Sequence, residues 1–304
     1  MSKIVHGLGL PYMGSKRRLA VPLINFMLKE NPKAKYFFDL FGGGGAMSFE
    51  AIQRLQIEKV FYNEINRGVV TLLEDIRDNG VTDKYYNWID RDTFNENKDK
   101  DTWLGGLCKV VWSFGNNQNG YLFGKDIAGD KKILHDIVVN KCEKSLKIFN
   151  EKYELDIEMN QGLFGENRKQ RRKRMQNTIV TINNKDRGLE NLQRLENLER
   201  LQNLENLEIT CQSYSTVNIN TPIDETIIYL DPPYKKTAKY QSGICYDTLY
   251  RYIEESPYKI YLSSYESPLD CVLELEHRSI LSATANNPVI EKLFTNNHPP
   301  TPKT

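Results

Sequence analysis

Residues 35–41, Lys-Tyr-Phe-Phe-Asp-Leu-Phe, run into four consecutive glycines, Gly42 to Gly45, and then into Ala46-Met47-Ser48-Phe49-Glu50-Ala51-Ile52. The first segment reads as a buried strand and the last as a helix, so the glycines mark a strand, turn and helix in succession. That order commits this end of the chain to an α/β architecture. Glycines let the backbone turn tightly and approach a ligand closely, and the following helix N-terminus offers free amides. A second strand, Lys59-Val60-Phe61-Tyr62, ends at Asn63-Glu64. An acid at the end of the second strand is where such folds grip ribose hydroxyls. The glycine run alone also fits an ordinary turn, since it lacks the G-x-G-x-x-G form, and Glu64 alone also fits a solvated strand end. Together they point to an adenosine-type ligand.

The apolar run Thr226-Ile227-Ile228-Tyr229-Leu230 delivers Asp231-Pro232-Pro233-Tyr234 to a strand's carboxyl end, the place where open α/β sheets bind ligands. One acceptor carboxylate, a stiff backbone with free carbonyls and a flat ring are parts for holding a planar amino group, such as the exocyclic amine of a nucleobase. Asp-Pro is also a common turn opener, so these four residues do not decide the matter by themselves.

The chain's 304 residues suggest about two domains at ~150 residues each. Its net charge of +1 gives no global basic field, so any nucleic-acid surface must be a local patch. Five cysteines (Cys108, Cys142, Cys211, Cys245 and Cys271) lie scattered without Cys-x-x-Cys spacing, as do the four histidines. This argues against a metal site or a disulfide framework and for a reducing compartment. Met1 to Leu10 has no basic region followed by a long apolar run, so neither a signal peptide nor a membrane span is expected, and a cytoplasmic location is.

Between the strand-rich ends, residues 80–185 are polar, lysine-rich and aromatic, with a helix expected near Asp130 to Tyr153. The loop from Trp112 to Tyr121 carries Asn116 and Asn117, side chains of the kind that bond adenine edges; it also fits a turn-rich connector. Arg168-Lys169-Gln170-Arg171-Arg172-Lys173-Arg174 is the densest basic run and fits phosphate contact or a solvated helix face. From Leu189 to Leu207, leucine recurs at every third position. Each such step slips about 60° around an α-helix, so the seven leucines spiral instead of forming a coiled-coil stripe; a helical spacer is expected. Strands follow at 207–211 and 259–263, a helix at about 245–255, and a hairpin pair within 271–281. The tail 296–304 is expected to fray.

The order of these motifs resembles that of the Dam-type DNA adenine-N6 methyltransferases (D12 class, α-group order). Pro11-Tyr12-Met13-Gly14-Ser15-Lys16-Arg17 comes first, then Asp39-Leu40-Phe41 with the glycines and Ala46, then Tyr62-Asn63-Glu64-Ile65-Asn66. After a long variable stretch come Cys211-Gln212-Ser213-Tyr214 and Asp231 to Tyr234. The resemblance covers most of residues 8–79 and 207–295. It implies a Rossmann-like, S-adenosyl-L-methionine-dependent methyltransferase fold with a mixed, largely parallel sheet and an inserted, mainly helical target-recognition region. In that scheme 1–79 and 207–295 form the catalytic domain, 80–206 the insert and 296–304 a tail.

Residue by residue, the resemblance assigns Tyr12, Lys16, Asp39, Phe41, Gly43, Gly45, Glu64, Ser213 and Asp231 to the cofactor. Glu64 stands where the family often has Asp. Asp231, Pro232, Pro233 and Tyr234 match the catalytic motif. Arg168, Lys169, Arg171, Arg172, Lys173, Arg174, Asn116 and Asn117 in the insert are the candidates for double-stranded DNA. No metal is required, and a cognate restriction endonuclease is a partner the resemblance admits, in a bacterial or phage-infected cell. The competing readings are an RNA adenine or DNA cytosine-N4 amino-methyltransferase and a non-catalytic DNA-binding relic. Asp instead of Ser before Pro-Pro favours adenine, and the intact acid, prolines, tyrosine and glycine loop weigh against lost catalysis.

Overall fold

Apolar runs from both ends of the chain meet in one sheet. The computed structural model describes residues 7–158, 167–182, 189–201, 204–234, 244–278 and 288–296. They divide into two compact units, one of Met1–Gly9, Gly14–Val70 and Leu201–Thr304, the other of Leu10–Met13 and Thr71–Arg200.

The first unit holds the sheet. Its strands are β1 (Tyr36–Asp39), β2 (Lys59–Asn63), β3 (Leu207–Thr210), β4 (Thr226–Leu230), β5 (Lys259–Ser264), β6 (Asp270–Arg278) and β7 (Pro288–Thr295). They lie in the order β3-β2-β1-β4-β5-β7-β6. The β1–β2, β1–β4, β2–β3 and β4–β5 pairs are parallel, and β7 runs antiparallel to both β5 and β6. This is the Rossmann-like, mixed and largely parallel sheet expected above. Chain order reverses direction at β1, whose neighbours are β2 and β4, so the crevice beyond its carboxyl end is the natural ligand position.

Both faces of the central strands are buried, which explains their unbroken apolar runs. On one face Phe38, Leu40, Ile228, Leu230, Ile260, Leu262 and Phe294 pack with Leu249 and Ile253 from the helix Tyr246–Glu255. Helix α1 (Ala20–Glu30) buries Ala20, Leu23, Ile24 and Met27. Phe26 of α1 meets Tyr261 edge-on, and Asn31 just beyond the helix donates to the Tyr261 hydroxyl at 2.7 Å. Each large apolar side chain so buried contributes about 1.5–3 kcal/mol.

Two expectations need correction here. The hairpin lies not within 271–281 but between β6 and β7. Asn296 is not part of a fraying tail: it is buried, donates to the Ile253 and Tyr258 carbonyls and accepts from the Ile260 amide. Residues 297–304 lie outside the described residues.

The second unit is mainly helical, with α4 (Arg91–Asn97), α5 (Trp103–Val111), α6 (Ala128–Asn140), α7 (Glu143–Tyr153), α8 (Arg168–Ile182) and α9 (Glu190–Leu198) among its described residues. The helix expected over 130–153 is two, broken where Lys141 takes a left-handed φ of 51°. Trp88, Trp112, Tyr121 and Phe123 cluster around His135. The His135 Nε2–H donates to the Tyr86 carbonyl while Nδ1 accepts from Asn191. Burial pushes His135 down to about 4, so it sits neutral in this core.

The leucine array is not one helix. Leu192, Leu195 and Leu198 lie on α9 and are buried, as is Leu189 before it. Three such positions span only about 120°, which one packed face can absorb. The repeat then leaves the helix: Leu204 falls in a 3₁₀ turn and Leu207 opens β3.

Candidate active site

The glycine loop turns the chain from β1 into the short helix α2 (Ala46–Ala51). A Cβ on Gly42 would lie 2.2 Å from the Tyr62 ring, and one on Gly45, whose φ is +70°, would lie 2.4 Å from Phe49. Both ends of the loop therefore admit only glycine. Glu64, just beyond β2, braces it: one carboxylate oxygen accepts from the Gly43 amide and the other from the Asn66 amide, both at 2.8 Å.

Asp39 ends β1 and is 1% exposed. Its Oδ2 accepts from the Ser48 hydroxyl at 2.7 Å, whereas Oδ1 is buried without a hydrogen-bond partner. Burial pushes the carboxyl up to about 7, against the Ser48 donors and with help from Asp231 and Glu64. A buried carboxylate with an unused acceptor beside a glycine loop is suited to a ligand's cationic group. Phe41 stacks on Tyr214 at 5.1 Å. Ser213, which precedes Tyr214, has its hydroxyl 3.0 Å from that of Ser215.

The carboxyl end of β4 carries the second cluster. Lys16 Nζ donates to Asp231 Oδ1 and to the Tyr234 hydroxyl oxygen, each at 2.7 Å, and lies 3.6 Å from Glu291 Oε1. The Tyr234 hydroxyl donates to Glu291, and its ring meets Tyr265 edge-on at 4.6 Å. Pro232 is buried, and the Pro233 carbonyl accepts from the Tyr246 hydroxyl. Burial works to lower the Lys16 pKa, but attraction to Asp231 and Glu291 outweighs it and raises the value. Asp231 is raised, chiefly by burial, with Lys16 opposing and Glu291 adding to the rise.

The first unit thus gathers Asp39, Phe41, Gly43, Gly45 and Glu64 around the ends of β1 and β2, and Lys16 with Asp231 to Tyr234 at the end of β4. Tyr12 falls in the second unit. Glu291 was missed at the sequence level. The sequence pattern offered no signal for it: Glu291, Leu293 and Thr295 share one buried strand face, while the apolar Ile290 is 46% exposed.

Within the second unit the basic run divides. Arg171 and Arg172 are buried. Arg171 donates to the Val138 carbonyl at 2.7 Å, and Arg172 forms a two-pronged pair with Glu196 at 2.6 and 2.9 Å. The expectation that these two reach phosphate is therefore corrected: their guanidiniums are bound into the fold. Arg168 lies over the Tyr86 ring and pairs with Asp83. Lys169, Lys173 and Arg174 are exposed. Asn117 Oδ1 accepts from the Asn119 and Gly120 amides, so it shapes its own turn; Asn116 has a left-handed φ of 59°.

Residues 12–268 match the D12 class N6 adenine-specific DNA methyltransferase family. The chain belongs to that family. It is accordingly a methyltransferase acting on adenine N6. No curated protein matches this D12 methyltransferase. Solved structures similar to it include yhhF of Escherichia coli, a candidate methyltransferase (12% identity, 97% of each chain, TM-score 0.33). Others are HI0767 of Haemophilus influenzae, a candidate methylase (13%, 97% and 96%, 0.33), and the rRNA methyltransferase aviRa of Streptomyces viridochromogenes (10%, 97% and 90%, 0.36). Likenesses this distant carry no argument about the site. Among the described residues no cluster of His, Cys, Asp or Glu could hold a metal ion, and no helix is long and apolar enough to cross a membrane.

Proposed function

We propose that this D12 methyltransferase transfers a methyl group from S-adenosyl-L-methionine to the N6 amine of an adenine flipped out of duplex DNA. The observation that carries the proposal is the placement of Asp231-Pro232-Pro233-Tyr234 at the end of β4, next in the sheet to the β1 strand that leads into the glycine loop. The residues around that loop fit the methyl donor. Asp39 Oδ1 would take its ammonium, Glu64 its ribose hydroxyls, and the side-chain-free turn would lie against its backbone. When bound, it supplies an electrophilic methyl on a sulfonium.

The adenine N6 lone pair is conjugated into the ring, so the amine is a poor nucleophile. Asp231 and the Pro232 carbonyl would accept its two hydrogens and pull the nitrogen towards tetrahedral geometry. The prolines suit this because they fix φ and donate no competing N–H. Tyr234 would lie against the base. Rate enhancement then comes from positioning and electrostatics. Inside a duplex the amine is out of reach, and flipping costs a few kcal/mol of unstacking. Phosphate contacts must offset that cost. We assign them to the second unit, on the exposed Lys169, Lys173 and Arg174 of α8, with the Asn116–Asn117 loop as a candidate base reader.

The test is a nucleoside digest of duplex DNA incubated with the protein and labelled S-adenosyl-L-methionine. The label is expected in N6-methyladenine and is expected to vanish with Asp231→Ala. Label confined to RNA or to N4-methylcytosine would overturn the substrate, and an active Asp231→Ala would overturn the catalytic assignment.

A further inference from the structure

Glu291 is 3% exposed and faces the catalytic motif from β7. The groups that bear on Asp231 are Lys16 from before α1, Glu291 from β7, Asp39 from β1, Tyr229 from β4, Tyr234 from its own turn, Tyr246 from the helix Tyr246–Glu255 and Tyr265 from beyond β5. Lys16 is the cation among them. Its ammonium sits on Asp231 Oδ1, which the Tyr234 hydroxyl also approaches at 3.4 Å. An incoming amine that needs this oxygen must compete with both. The Lys16 side chain is only 7% exposed, so it cannot withdraw into water without losing its compensation. A buried cation that leaves one carboxylate must find another. Glu291 Oε1 is 3.6 Å away and already accepts from Tyr234.

We propose that Glu291 is a positioning residue: it receives the Lys16 ammonium and retains the Tyr234 hydroxyl as the adenine amine takes up Asp231. The inference rests on the reading of Asp231 as the amine's acceptor. Its consequences are electrostatic. In the wild type, two carboxylates share one ammonium, so neither holds it fully. With Glu291→Gln, Lys16 has a single anionic partner and stays on Asp231. Asp231 then loses a like-charged neighbour and ionises at lower pH.

The experiment measures kcat and KM for a duplex substrate across the acid range, for the wild-type protein, Glu291→Gln and Glu291→Asp. Melting temperature and S-adenosyl-L-methionine affinity report on folding. Glu291→Gln is expected to lower kcat roughly ten- to hundredfold, as loss of a charge-assisted partner does. The acid limb of kcat/KM, which reports the free enzyme, is expected to move to lower pH. Glu291→Asp keeps the charge but shortens the reach, so kcat falls while the limb stays near wild type. A folded Gln variant with wild-type kcat and an unmoved limb overturns the inference. If the Gln variant does not fold, the Asp variant decides, and wild-type kcat there overturns it. Wild-type protein that makes no N6-methyladenine would instead overturn the proposed function.

Discussion

Asp39→Asn isolates the charge at the centre of the proposed donor site. The carboxyl ionises at 3.8 when unperturbed and at about 7 in the fold, because burial penalises its charged form. At about 1.4 kcal/mol per pH unit, the difference is worth roughly 4 kcal/mol. The folded state binds this proton more tightly than the unfolded chain does. The contribution to stability is therefore fully present below about 3.8 and lost as the pH rises through about 7. Above that pH, the ligand-free fold carries a buried carboxylate with one unused oxygen. The Asn variant carries no such titration. In urea unfolding without ligand, the variant is expected to gain on the wild type by up to ~4 kcal/mol between about pH 4 and pH 8. Groups common to both proteins cancel in that comparison. Titration with S-adenosyl-L-methionine completes the test. The wild type is expected to bind more tightly as Asp39 ionises, and the variant to bind weakly at every pH. Parallel stability profiles for the two proteins would refute the account of Asp39 as a desolvated acid awaiting a cation.

Three further outcomes follow from the geometry. Gly45→Ala places a Cβ at φ +70° and 2.4 Å from Phe49; a loss of about 2–3 kcal/mol is expected by thermal or urea unfolding, and a change within a few tenths would show that the turn relaxes freely. On α8, replacing Lys169, Lys173 and Arg174 with Gln is expected to reduce the salt slope of duplex binding by about 2–3 without loss of stability. Arg172→Ala is expected to destabilise the fold by ~3 kcal/mol, because it leaves Glu196 without its two-pronged partner. A salt slope unchanged by the triple variant would remove α8 from the DNA surface.

The contrast within that basic run shows where sequence reading stops. Seven consecutive residues announce a charged helix, but only tertiary packing decides which charges turn inward. Arg171 and Arg172 sit side by side and are buried, yet Lys169 and Lys173 flank them in solvent. Composition cannot separate them, because a buried arginine looks like an exposed one until its carbonyl or carboxylate partner is placed. The leucine array fails for a related reason. Its three-residue period persists from Leu189 to Leu207, while the backbone passes from α9 through a 3₁₀ turn into β3. A repeat in sequence does not oblige a repeat in conformation when its leucines can bury from a helix, a turn and a strand alike.

Strands β1, β2, β4 and β5 were legible because burial on both faces forces continuous apolar runs, and Asp231 to Tyr234 because prolines after such a run mark its exit. β7 was not legible, and the cause is one residue. Glu291 puts a carboxylate on the buried face of the strand and leaves Ile290 exposed, which inverts the pattern that identifies a core strand. A carboxylate in that position is costly unless a cation is already there to meet it. Lys16 is that cation, but it lies 275 positions earlier in the chain. The compensation exists only once β7 has inserted between β5 and β6. A buried charge of this kind departs from local pattern rules because its partner is supplied by the fold, and such departures are expected to gather at functional sites. On that reasoning the inverted strand face is itself an argument for Glu291 as part of the working site and not of the scaffold. A purely structural position on that face would have been filled at lower cost by an apolar residue such as Leu293, its neighbour on the same face.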